Sequence, residues 1–262
     1  MEIKIGESLF LGGDSDYKLS PPVSGLESPA YRVGDGVYAG RDGGYVSGHY
    51  YGHRTLVLKG FYIGSDCENA SELRRVLFGY LRIRYKLPIL ITTSERQYYT
   101  EGVVIDVKAD VTNLRGGEYQ ITLLCPDPIL YEAENGELKW YEETLINGDS
   151  TQIANGGDVE VYPVITITGL VDGIELSNET TEQTMQIDVV GESTEDEIII
   201  DMQKRIITLN GVSINEDRSL NSSWWSLLQE NNDVVTRIGA VESSPASEAE
   251  VKIRYKRGFA GI

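Results

Sequence analysis

The stretch from Ser65 to Pro88, SDCENASELRRVLFGYLRIRYKLP, holds nearly all of the chain's helix evidence and so decides its fold class. A cap is available at Ser65 with Glu68 three residues on, or at Asn69 with Glu72, the arrangement that satisfies the free N–H groups of a first turn. Leu73, Val76, Leu77, Tyr80 and Leu81 then recur at helical spacing. That spacing predicts one apolar stripe lying against a sheet, with Leu73 and Leu77 as core contacts. Arg74, Arg75, Arg82 and Arg84 fall mostly off the stripe, and Pro88 forbids continuation, so the helix is predicted to end near Tyr85.

On both sides of this segment the pattern changes to alternation rich in β-branched side chains. Thr55–Tyr62, Pro88–Thr93, Val103–Thr112, Glu118–Cys125, Val161–Ile167, Thr184–Val190, Glu197–Met202, Ile206–Leu209 and Val251–Tyr255 all read as strands. The expectation is a mainly β protein whose 28 glycines serve turns and close strand approaches. Between Tyr131 and Val161 the chain reads EAENGELKWYEETLINGDSTQIANGGDVE, with Asn-Gly turns and only short apolar runs. A domain boundary is placed there, giving residues 1–134 and 135–262, each within the usual range for an independent core. Trp140, Leu145 and Ile146 are apolar enough to belong to first strands of the second domain.

Charge separates the halves further. Residues 1–134 carry 14 basic and 18 acidic side chains, and residues 135–262 carry 9 and 23, so most of the formal −18 lies in the second half. Such a surface repels phosphate backbones and anionic lipid, which argues against nucleic-acid binding. No apolar run approaches the roughly 18 to 20 residues that span a bilayer, and the start MEIKIGESLFLGG lacks a basic leader followed by an apolar block. The expectation is a soluble protein made in the cytoplasm, with Cys67 and Cys125 as free thiols.

Catalytic chemistry finds little support. His49 and His53 stand four apart in HYYGH, but the general-base Glu of a zinc hydrolase is absent and the surrounding Gly and Tyr predict a hairpin. There is no Gly-x-Ser-x-Gly elbow, and Cys67 and Cys125 read as structural. Gly34, Gly36 and Gly40 have the wrong spacing for a phosphate loop. With 41 acidic residues, no carboxylate pair stands out, and GESTEDE (191–197) reads as a solvated hairpin tip. The sequence predicts no enzyme, cofactor or metal site.

More informative is GDGVYAGRDGGYVSGHYYGH (34–53). Tyrosine offers a large amphipathic contact face at modest entropy cost, and glycine lets the chain bend; together they suit an exposed hairpin that clasps a neighbour. Gly34, Tyr38, Arg41, Tyr45, His49, Tyr50 and Tyr51 are the candidate contact residues. The alternative is a long hairpin folded back on its own sheet. Trp224 and Trp225 in SSWWSLL diverge on either a strand or a helix, so one core and one edge residue are expected.

Several short segments occur in a fixed order: YPVITITG (162–169), IELSNETT (174–181), IIID (198–201), ITLNG (207–211), SSWWSLL (222–228) and VKIRYKRGF (251–259). Together with the Gly/Tyr-rich segment, the single helix and CPDPILYE (125–132), they resemble the distal tail protein family of long-tailed phages. That resemblance implies an N-terminal β-sandwich-like domain with one helix and an extended hairpin arm, and a C-terminal galectin-like jelly-roll. It further implies a homo-hexameric ring at the distal end of a non-contractile tail of a phage of a Gram-positive host. The ring joins the tail tube protein to a tail-associated tip protein, lets DNA pass, and offers a platform to a receptor-binding protein. Pro163, Gly211 and Trp225 become turn or packing positions. The rival is a carbohydrate-binding tail-tip adhesin using the jelly-roll, an argument from fold alone.

Overall fold

The computed structural model describes residues 1–64, 67–81, 85–113, 115–146, 150–169, 171–191, 193–238 and 249–262. It is mainly β, with 58% strand and, among the described residues, one α-helix. The chain divides into two compact units, Met1–Leu138 with Phe259–Ile262, and Lys139–Gly258. The first unit runs on to Leu138 because β11 (Glu137–Leu138) pairs back onto β10 (Leu130–Glu134). It also takes back the four residues Phe259–Ile262.

In the first unit, β1 (Glu2–Ile5), β2 (Leu9–Gly12), β3 (Tyr17–Leu19), β6 (Arg54–Ile63), β7 (Lys86–Thr92), β8 (Gln97–Asn113) and β9 (Gly116–Cys125) form one sheet in the order β2-β1-β7-β8-β9-β6-β3. Its two ends meet, since a Cβ built on Gly12 of β2 would lie 3.1 Å from the Leu19 side chain of β3. The sandwich-like build comes from this doubling back. Alternation buries Leu56 and Leu58 of β6 opposite Leu123 and Ile121 of β9, as a half-covered strand requires. β8 is longer than the sequence predicts. Bulges between Val104 and Asp106 and between Val111 and Asn113 break its alternation, and its first residues pair with β7 and β10.

The helix α1 spans Cys67–Tyr80. Ala70 and Leu77 are buried, and Leu73 is partly so. Tyr17 Oη donates to Leu73 O (2.7 Å) and Arg74 Nε donates to Ala109 O (2.9 Å), fastening the helix to β3 and β8. Two details differ from the sequence expectation. The helix stops at Tyr80 rather than near Tyr85, because the chain is extended again by Lys86, which pairs with Val103. Tyr80 is exposed rather than part of the buried stripe. Ser65, Arg82 and Arg84 lie outside the described residues. Among the described residues no helix is long and apolar enough to cross a membrane.

The second unit contains β12 (Tyr141–Ile146), β13 (Ser150–Asn155), β14 (Val164–Thr168), β15 (Val171–Asn178), β16 (Gln183–Gly191), β17 (Glu197–Asp201), β18 (Ile206–Leu209), β19 (Val212–Ser213), β20 (Glu230–Ile238) and β21 (Glu250–Tyr255). One sheet runs β12-β21-β14-β17-β18-β19 and the other β13-β20-β15-β16. The first strand pairs with the last and the second with the next to last, which is a rolled double hairpin, the jelly-roll. Ile165, Ile198 and Ile253 from one sheet and Leu176, Met185 and Val234 from the other are fully buried.

Three buried asparagines fasten the chain before β20. Asn232 donates to Leu228 O (3.0 Å) and Glu230 O (3.3 Å) and accepts from Leu228 N (2.8 Å). Asn155 reaches Leu227 O and Asn178 reaches Ser226 O. They hold Glu230 at a φ of +78°, which a non-glycine residue rarely adopts.

Candidate functional site

The residues singled out from 34 to 51 form a hairpin of their own. β4 (Tyr31–Val37) and β5 (Gly44–Tyr51) pair with each other as a two-stranded sheet separate from the larger one. Gly34 lies in β4, Tyr38 and Arg41 in the connection, and Tyr45, His49, Tyr50 and Tyr51 in β5. The His49 side chain lies outside the described residues, and its backbone pairs with Val33. His53 follows, exposed, in the link between β5 and β6, so HYYGH runs off the end of a strand and is not helical.

Strand alternation gives the arm two different faces. One carries Tyr45, which lies over Gly36: a Cβ there would sit 2.7 Å from the Tyr45 ring. Ser47, the extra residue of a bulge, donates to Gly34 O (3.0 Å). Tyr38 packs on Tyr45 with ring centroids 5.7 Å apart, and the Arg41 guanidinium covers Tyr38 at 3.7 Å. The glycines thus form a floor on which large rings lie flat. The other face carries Val33, Asp35 and Val37, with Val46 opposite Asp35. Tyr31 stacks on Tyr51 there at 5.1 Å.

The arm's root is fixed from both sides. Gly52 N donates to Ala30 O (2.7 Å), closing the hairpin base. Arg54, two residues further on, is 2% exposed and donates to four carbonyls: Pro128 (2.7 Å), Gly25, Glu27 (2.8 Å) and Ala260. Gly25 has φ +93°, and a Cβ would strike Thr55 O, so only glycine fits this close to β6. The Glu27 carboxylate accepts from the Gly25 N–H (2.9 Å). Its pKa is lowered, chiefly by its own and Gly25's backbone N–H groups. Ala260 belongs to the returning segment, which also packs Phe259 on Tyr98 and donates Ile262 N to Leu26 O (3.0 Å). Arg54 is the residue the sequence reading missed. A single arginine opening an apolar strand, ahead of LVL, is the only signal it leaves.

The remaining singled-out positions serve the scaffold. Gly211, at φ +81° after Asn210 at +50°, makes the turn from β18 to β19. Pro163 is buried just before β14, and its carbonyl accepts from Met202 N (3.2 Å). Trp225 is fully buried with Nε1 donating to Leu176 O (3.2 Å). Trp224 is half-buried, with the Arg218 guanidinium 5.6 Å from its ring centre. Cys125 is free and buried, and burial pushes its thiol up to about 11, which makes it a poor nucleophile. In 191–197, Asp196 accepts from Ser193 N and Asn210 Nδ2. Among the described residues no three His, Cys, Asp or Glu side chains are grouped to hold a metal.

The first unit thus carries a doubled-over sheet and an exposed, tyrosine-rich hairpin, and the second is a jelly-roll. Residues 156–259 match the family model described as siphovirus-type tail component, C-terminal domain. The chain is 25% identical over 238 residues to the distal tail protein of Bacillus phage SPP1, covering 87% of this chain and 90% of that protein. Its fold matches the crystal structure of the SPP1 Dit protein with a TM-score of 0.67 at 18% identity, over 91% of this chain and 92% of that one. That protein is described as a paradigm of the hub adsorption apparatus in phages infecting Gram-positive hosts. Family model, relative and fold agree in likeness to the siphophage distal tail proteins: the C-terminal half matches their tail-component model, and the whole chain shares the fold of one of them.

Proposed function

We infer that the chain builds a hexameric ring at the distal end of a long non-contractile tail, between the tail tube protein and the tail-associated tip protein. The observation that carries this is the arm. An exposed hairpin whose strands, among the described residues, pair only with each other, and whose root lies beside the buried Arg54, is a means of reaching another molecule. If every copy reaches the next through one patch and is held through another, the contacts are heterologous and close into a ring when the rotation permits. The first unit carries those contacts, and the jelly-roll serves as a platform for tip or receptor-binding proteins. The role is architectural, in the virion, and the ring leaves room for the genome to pass without binding it.

The test is the mass of the purified chain in solution at high concentration, with negative-stain imaging, alone and with tail tubes. Replacing residues 34–51 by a short Gly-Ser link should leave both units folded and weaken the ring, because it removes interface rather than core. Only monomers or two-fold dimers in every condition would sink the ring. Unimpaired assembly of the armless chain would show that another surface closes it.

A further inference from the structure

We propose that the valine face of the arm seats in a hollow beside Gly79 on helix α1 of a second copy of this chain; this rests on the arm reaching a neighbouring copy. On the donor side, Val33, Val37 and Val46 share one face of the hairpin and are 51%, 85% and 65% exposed. Aliphatic side chains gathered on one face in water are uncommon in a protein that works alone. On the opposite face Tyr38, Tyr45 and Arg41 already pack on one another and on Gly36, so those rings have partners within the arm although they remain exposed to solvent.

On the acceptor side, Gly79 lies in the last turn of α1 without a left-handed φ, and a Cβ added there would meet nothing within 4 Å. Neither conformation nor crowding within the chain calls for glycine at this position, although it is the poorest helix former after proline. Arg75, Val76 and Tyr80 line an open hollow of about 310 Å³ around it, and Phe78 and Tyr80 are exposed beside it. Charge fits as well. Asp35 stands among the valines of the arm, and the exposed Arg75, now paired with Glu72 at 2.6 Å, stands at the rim of the hollow. The projecting face and the hollow are different surfaces of the same unit, so they match head to tail between copies.

Gly79→Leu fills the hollow at a site with open space. The variant should melt at the parent temperature or above and lose the ring-sized species. A chain carrying Val37→Cys and Gly79→Cys together should give a ladder of covalent multimers under mild oxidation, and neither single variant should. Assembly of Gly79→Leu at the parent level, or absence of the ladder, overturns this seat. If the armless chain also fails to assemble in the same experiment, the arm still closes the ring and only its seat is misplaced. If the armless chain assembles, the reading beneath the proposal falls with it.

Discussion

Arg54→Met keeps the stem of a buried side chain and removes its guanidinium. The four carbonyls of Gly25, Glu27, Pro128 and Ala260 then lose a charged donor. A hydrogen bond to a charged group contributes roughly 1.5 to 3 kcal/mol, so four independent losses would approach the whole stability of a domain, about 5 to 15 kcal/mol. They are not independent. Glu27 is exposed, and Gly25, Pro128 and Ala260 are half-buried, so several carbonyls can turn to water once the arginine is gone. The expected cost is about 3 to 5 kcal/mol, the range for breaking a buried charged network. For a unit of this size about 3 °C per kcal/mol gives a fall of about 10 to 15 °C. The assay is thermal unfolding of the full chain by circular dichroism, paired with removal of residues 260–262, which deletes one acceptor and should cost less. A shift under about 3 °C for Arg54→Met would mean that the arm's root and the returning segment are held by something else.

Further outcomes follow from other sites. Leu77→Asp places a carboxylate at a fully buried helix position and should abolish soluble folded protein; a normal unfolding transition would refute the packing of α1. Asn232→Leu removes the donor to Leu228 O and Glu230 O and the acceptor for Leu228 N, and should cost about 2 to 4 kcal/mol in denaturant unfolding. Burial, with Asp16 nearby, raises Tyr17 to about 12 from 10.0. Its neutral phenol therefore contributes stability below about pH 10 that is lost as pH rises toward about 12, and Tyr17→Phe should flatten the alkaline fall in melting temperature. A gel shift with duplex DNA near physiological salt should show no binding, given the formal −18; a complex with a salt-dependent slope would contradict the conduit role.

Much of this fold is legible in the sequence wherever one face of an element is buried and the other wet. β6, β9, β14, β17 and β21 alternate inward and outward along nearly their whole lengths, so a two-residue period finds them. The helix centre is found for the same reason, and its end is not, because the end is set by where β7 must begin pairing. β13 and β20 are missed since Gln, Asn and Asp interrupt their apolar positions, and buried Asn155 and Asn232 serve hydrogen bonds that no periodicity encodes. The arm is visible as composition, glycine and tyrosine in excess. Its division into a tyrosine-on-glycine face and a valine face emerges only with register, because the bulge at Ser47 shifts the pairing by one residue.

The return of Phe259–Ile262 to the first unit also sets an order in time. Arg54 and its acceptor Ala260 lie 206 residues apart. At ribosomal speeds of about 5 to 20 residues per second, the arginine waits for about 10 to 40 s before its last partner emerges. The second unit is synthesised in that interval and can fold first, reversing the usual progress from N-terminus to C-terminus. A nascent chain therefore displays its arm on an unfinished root, and the root is completed only by a ribosome that has read through residue 260.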